Sequence, residues 1–248
     1  MKNIIIAILA VALFYTLYFI GSYPKAFYYI DTAYQHVDEN LVRALAYVKN
    51  NIAAVLLHKP VTIAELQNKY EAPTKKVRIL IIPGHEPDFG GTEYGNLKER
   101  DMNVELAREL GIFLKNNGHY DVMMARDENN WSPALLEYFK NHWEEIVSFY
   151  KDNKEETLRQ IRTGETTKPI TKVVHNKARP DVALRLYGIN KWETENDIDI
   201  AIHVHFNDVP RRDTSQPGKY SGFAIYVPEQ QYANSQTTKA VAETVFKR

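Results

Sequence analysis

The sequence predicts an α/β domain: a mostly parallel twisted sheet flanked by helices, with a helical insertion, an N-terminal transmembrane helix and a helical stalk. Three observations predict it. Val77-Arg78-Ile79-Leu80-Ile81-Ile82 is a nearly unbroken apolar run, as expected of a strand buried on both faces of a parallel sheet. Strand-like and helix-periodic segments follow one another from there to the C-terminus. Ile4 to Ile20 is uncharged and apolar, about the lower limit of length for a spanning helix.

Composition narrows the function classes. A chain of 248 residues accommodates one medium domain plus extras. Lysines and arginines number 31 and acids 31, so no basic excess points to nucleic acid. The absence of cysteine excludes disulfides and thiolate metal sites, so any zinc must be held by histidine and carboxylate.

Taken in order, residues 1–22 read as an uncleaved signal anchor. Lys2 supplies the charged start, and Gly21-Ser22-Tyr23-Pro24-Lys25 offers no small-residue cleavage site. Tyr15, Tyr18, Tyr23, Phe27, Tyr28 and Tyr29 suit an interfacial aromatic belt. The expected arrangement is a single-pass protein of the cell membrane with the bulk of the chain outside, facing the periplasm or cell wall. Residues 23–76 form the stalk and linker. Leu41, Leu45, Val48, Ile52 and Val55/Leu56 recur at helical spacing, whereas the segment from Pro60 to Lys76, with Pro73 and mixed charges, reads as linker.

The domain itself covers 77–248. Pro83-Gly84 ends the apolar strand and delivers His85 at its C-terminal edge. A loop rich in glycine and acids follows, and a helix starting near Leu97-Lys98-Glu99 runs to Asn116-Asn117-Gly118. A histidine at a strand end and a carboxylate at a helix start then face one crevice, where open α/β sheets bind ligands.

Tyr120–Ala125 is the next strand. Residues 128–173 form a helical insertion, with one helix marked by Leu135, Phe139, Trp143, Ile146, Val147 and Tyr150 and a second over Glu155 to Arg162. It is either a lid over the crevice or an elaboration packed on the sheet edge. Lys172 to Tyr187 reads as a helix with Arg179 near its start. In Asp197–Asp208 the isoleucines alternate with His203 and His205, so a strand points both imidazoles the same way, roughly 7 Å apart.

Ile82-Pro83-Gly84-His85, Gly90-Gly91, Glu99-Arg100-Asp101-Met102-Asn103, Ala125-Arg126-Asp127 and His203-Val204-His205-Phe206-Asn207 occur in the order and spacing of a known pattern. Over Val77 to Lys247 the chain resembles the zinc-dependent N-acetylmuramoyl-L-alanine amidases that trim bacterial peptidoglycan. The resemblance implies one zinc ion held by His85, Glu99 and His205, with His85, His203 and His205 as the alternative set. It implies peptidoglycan as the partner and hydrolysis of the amide between N-acetylmuramic acid and L-alanine. It also matches Gly222–Val227 to the family's penultimate core strand and Ser235–Phe246 to the helix after it. Asn207 and Arg179 are the substrate-binding candidates. An activating protein partner is compatible with the pattern but is not identified by it.

The chain departs from the family in two places. Glu86 stands where the family tends to have glycine. The Glu-x-Gly-Phe-like segment that carries the family's catalytic glutamate does not occur, which leaves the catalytic base unassigned. The expectation is a coding sequence that stops short of the last strand. The competing readings are a base from elsewhere, or an inactive amidase-like protein with a wall-binding or regulatory role at the membrane.

Overall fold

Polar main-chain groups must be paired when a chain is buried, and in the computed structural model three parallel strands do this at the centre of the domain. The structure describes residues 61–168, 178–206 and 222–247. Strand β1 (Val77–Pro83) lies in the middle, with β4 (Tyr120–Met124) on one side and β5 (Ile200–Val204) on the other. Both pairings are parallel, as the unbroken apolar run of β1 predicts. A short antiparallel hairpin, β2 (Glu93–Tyr94) with β3 (Leu97–Lys98), stands apart from this sheet.

Alternation along β1 divides the core in two, because successive side chains point to opposite faces. Ile79 and Ile81 pack with Ala107, Val122, Val204 and Leu66. Leu80 and Ile82 pack with Ala125, Leu135, Tyr138, Ile146, Ile189 and Trp192. The first face is covered by helix α1 (Ile63–Glu71) and helix α2 (Glu99–Lys115), the second by α3 (Pro133–Asn141), α4 (Trp143–Thr163) and α5 (Pro180–Glu195).

Helix α1 occupies part of the segment that reads as linker. Thr62 and Glu65 form a reciprocal capping box, with the Thr62 amide donating to Glu65 at 2.8 Å and the Glu65 amide to the Thr62 hydroxyl at 3.2 Å. Lys69 pairs with Asp199 at 2.6 Å, which fastens the helix to the approach to β5. Leu66 alone is buried along α1, so hydrophobic periodicity carries almost no signal there.

The insertion covers one face of the sheet rather than its edge. Leu135 and Ile146 are fully buried against the second core, each contributing about 2–3 kcal/mol of apolar burial. Its helices break at His142 rather than after Tyr150, and α4 continues to Gly164, whose φ of 75° ends it in a left-handed turn. Gly188 on α5 permits close approach to α4, since a Cβ there would sit 2.9 Å from Ile146 Cδ1.

Two further expectations, the bounds of α5 and a strand at Gly222–Val227, differ from the structure. Helix α5 runs on to Glu195, and its start at Pro180 follows from the fixed φ of proline at a first helical position. The terminal helix α6 (Ser235–Phe246) is present. Gly222–Val227, however, forms no strand, and Phe223 and Tyr226 are largely exposed. An apolar run specifies a strand only where a partner supplies register, and among the described residues none pairs with it.

Among the described residues no helix is long and apolar enough to cross a membrane. The anchor expected over 1–22 and the amphipathic helix expected near Asp38–Leu57 lie outside the described residues.

Candidate metal centre

Parallel register brings the site together. Pro83 pairs with Val204, and the Gly84 amide donates to the Val204 carbonyl at 2.8 Å. His205 follows Val204 and His85 lies two residues beyond Pro83, so both imidazoles emerge at the same C-terminal edge. Their ring centroids are 5.0 Å apart and nearly perpendicular, at 84°.

Glu99 enters from the first position of α2, fixed there by the hairpin β2–β3. Its amide donates to the Thr92 carbonyl at 2.9 Å, and the Thr92 amide donates back to Glu99 Oε2 at 2.9 Å. That leaves Oε1 for the imidazoles: 2.9 Å from His85 Nε2 and 3.4 Å from His205 Nδ1. Burial raises the Glu99 pKa, but the Thr92 hydrogen bond and the two imidazoles outweigh it, and the carboxyl titrates below its ordinary value.

Three glycines make this crowding feasible. A Cβ on Gly84 would lie 2.2 Å from His205 Cε1, inside the ring's contact surface. A Cβ on Gly91 would lie 2.9 Å from His85 Cδ2 and 3.0 Å from Glu99 Cβ. Gly90 and Gly91 also take φ of 92° and 80°, in the left-handed region open to glycine. His85 itself has a φ of 70°, a conformation that costs a non-glycine residue about 1–2 kcal/mol.

One ligand atom from each of His85, Glu99 and His205 lies within 4.8 Å of the others. A tetrahedral zinc with bonds near 2.0–2.1 Å requires ligand atoms about 3.3 Å apart, and the two separations from Oε1 bracket that value. Among the described residues His85 Nε2 is buried and has no partner in hydrogen-bond geometry, although Oε1 lies 2.9 Å away. Two imidazoles, one carboxylate and an orphaned ring nitrogen fit a divalent ion of the zinc type.

The alternative set is not assembled. His203 lies within β5, in register with Ile82, and is not among the residues gathered here. Arg179 immediately precedes α5, at its N-cap position; its guanidinium lies 4.7 Å from the Phe89 ring centroid and pairs with Asp181 at 3.2 Å. It therefore borders the loop beside His85 and is not part of the cluster. Asn207 lies outside the described residues.

Two buried groups beside the centre carry no assigned role in the sequence reading. Glu86 accepts from Arg185 Nε at 2.9 Å and from Trp131 Nε1 at 3.2 Å, which ties the loop after His85 to α5 and to the start of the insertion. Arg185 also reaches Asp181 at 2.9 Å; burial lowers its pKa, but the two carboxylates outweigh this and raise it. Arg126, 2% exposed, follows β4 and among the described residues donates only to main-chain carbonyls. The departure at Glu86 from glycine is a visible signal in the sequence; the partners of Arg126 are not.

Comparison with known proteins adds one match. The family model described as N-acetylmuramoyl-L-alanine amidase matches residues 79–248, more than half of the chain. No curated protein and no solved structure matches it.

Proposed function

Because the chain belongs to the N-acetylmuramoyl-L-alanine amidase family, we propose that it is a zinc-dependent peptidoglycan hydrolase that remodels the cell wall from the membrane surface. It cleaves the amide between the lactyl group of N-acetylmuramic acid and L-alanine. The apolar run Ile4–Ile20 anchors it, with the domain on the wall side. The observation that carries the zinc reading is the convergence of His85, Glu99 and His205 on one point at the sheet edge.

His85 Nε2, Glu99 Oε1 and His205 Nδ1 would hold the ion, with a net positive charge left at the site. When bound, zinc supplies Lewis-acid polarisation of the scissile carbonyl and makes water acidic enough to react near neutral pH. The chain's own residues set the orientation. Thr92 occupies Oε2, which directs Oε1 toward the imidazoles. Arg179, over Phe89 at the rim of the glycine loop, and Asn207, two residues past His205, are the proposed substrate contacts.

A second reading, an amidase-like wall-binding or regulatory protein without turnover, rests on the acids near the centre. Among the described residues the cluster contains one carboxylate, Glu99, which is a ligand, and Glu86 is turned into Arg185 and Trp131. One experiment separates the two. The full chain is incubated with a muramoyl-peptide and with the same peptide lacking the sugar, before and after chelation and zinc readdition. The enzyme reading predicts a new L-alanine amino terminus from the first substrate only, lost on chelation and restored by zinc. Zinc binding without any release would favour the second reading, and release from the sugar-free peptide would indicate a peptidase.

A further inference from the structure

We propose that Arg126 is a positioning residue for the metal centre, bracing the main chain beside His85 and Glu99; this rests on the zinc reading above. A buried guanidinium has five N–H donors and loses its hydration, so its partners determine its use. Arg126 Nε donates to the Pro83 carbonyl at 3.1 Å, and Nη2 to those of Gly84 and of Arg100, the latter at 3.0 Å. Nη1 donates to the Asp127 carbonyl at 2.9 Å. Among the described residues its hydrogen bonds go to main-chain carbonyls and to no side chain.

Those carbonyls have a particular address. Pro83 and Gly84 precede His85, so Arg126 fixes the peptide from which a left-handed ligand residue departs. Arg100 follows Glu99, so the same guanidinium holds the first turn of α2 against the end of β1. Gly84 packs on the His205 ring, as the 2.2 Å position of a Cβ built there shows. Asn103 Nδ2 donates to the same Gly84 carbonyl at 3.2 Å, a second support from α2. One rigid, planar fork thereby links the strand end and the helix start that present the ligands, and the flexible single ammonium of lysine cannot reproduce it.

The test compares the full-length chain with Arg126→Lys, with Asn103→Ala, and with Leu66→Ala as a core truncation remote from the site. Zinc affinity is measured by competition with a chromophoric chelator, the ligand field by the visible spectrum of the cobalt(II) form, and folding by circular dichroism. A brace of this kind predicts that Arg126→Lys weakens zinc binding about ten- to a hundred-fold and shifts the cobalt bands, as loss of an outer-shell partner does. Asn103→Ala shifts both in the same direction by less, and it carries the test should Arg126→Lys fail to fold. Leu66→Ala lowers stability and leaves both readouts unchanged. Unaltered affinity and cobalt spectrum in the folded Arg126 variant, or in the Asn103 variant where that one carries the test, overturns the brace and leaves the metal centre standing. Absence of zinc binding by the unaltered chain overturns both.

Discussion

Substituting Gly84 by alanine tests the geometry of the centre at its tightest point. The new Cβ would sit 2.2 Å from His205 Cε1, whereas non-bonded carbons rest at about 3.5–4.0 Å. The imidazole must therefore retreat by about 1.3 Å or more, several times the ~0.2 Å tolerance of a metal–ligand bond. His205 is partly exposed, with 39% of its side chain accessible, so the ring has room to swing outward. Gly84 does not have a positive φ, so alanine strains no backbone there. The expected outcome is a folded protein with a two-ligand site. Displacing an outer-shell partner costs up to about a hundred-fold in affinity, and displacing the ligand itself should cost at least that much, about 2.8 kcal/mol. Chelator competition reads the affinity, and circular dichroism with thermal melting reads the fold. A Gly84→Ala protein that binds zinc as tightly as the parent would refute the placement of His205 beside Gly84.

Other perturbations have equally definite outcomes. Gly91→Ala meets both His85 and Glu99 and is strained by its φ of 80°; it should cost about 1–2 kcal/mol in thermal stability and weaken zinc binding as well. Arg185→Ala leaves the buried Glu86 with Trp131 alone and should destabilise the fold by about 3 kcal/mol, read as a lowered denaturation midpoint, whereas an unchanged midpoint would show the pair to be dispensable. Glu193 should make stability pH-dependent. Its Oε1 is buried without a hydrogen-bond partner among the described residues, and burial pushes its pKa from 4.5 to about 7. Between those values the folded state binds the proton and the unfolded state does not, so stability from this group is present below pH 4.5 and falls as pH rises through about 7. The loss is at most about 3 kcal/mol, and Glu193→Gln should abolish it; urea titrations of both proteins at pH 5 and pH 8 that fall in parallel would contradict this. Finally, zinc at a hundred times its dissociation constant should raise stability by about 2.7 kcal/mol in the parent, and that increment should vanish in His85→Ala.

The candidate ligands were legible because each stands where an element begins or ends. Pro83-Gly84 stops a fully apolar strand before His85, Glu99 opens a helix, and His205 closes an apolar alternation. The choice between His203 and His205 was not settled by spacing, since a period of two sends both imidazoles to the same side. The structure gathers His205 with His85 and Glu99: β5 stops at Val204, and the missing Cβ of Gly84 leaves space for the His205 ring. Arg126 and Glu86 were visible as residues but not as contacts. An arginine that binds only main-chain carbonyls leaves no complementary side chain to read, and the Glu86–Arg185 pair spans most of the domain in sequence. Helix α1 was missed for the reverse reason: its capping box was readable, but with Leu66 as its sole buried residue it shows no periodic face. At Gly222–Val227 the family resemblance suggested a strand that the described structure does not pair.

The most direct test of the metal centre is the zinc content of the purified full-length chain beside that of a His85→Ala/His205→Ala double variant, with X-ray absorption at the zinc edge for the parent. The geometry predicts one zinc per chain, bound by two imidazole nitrogens and carboxylate oxygen, and none retained by the double variant. Full occupancy in that variant, or a parent spectrum without imidazole scattering, would contradict it.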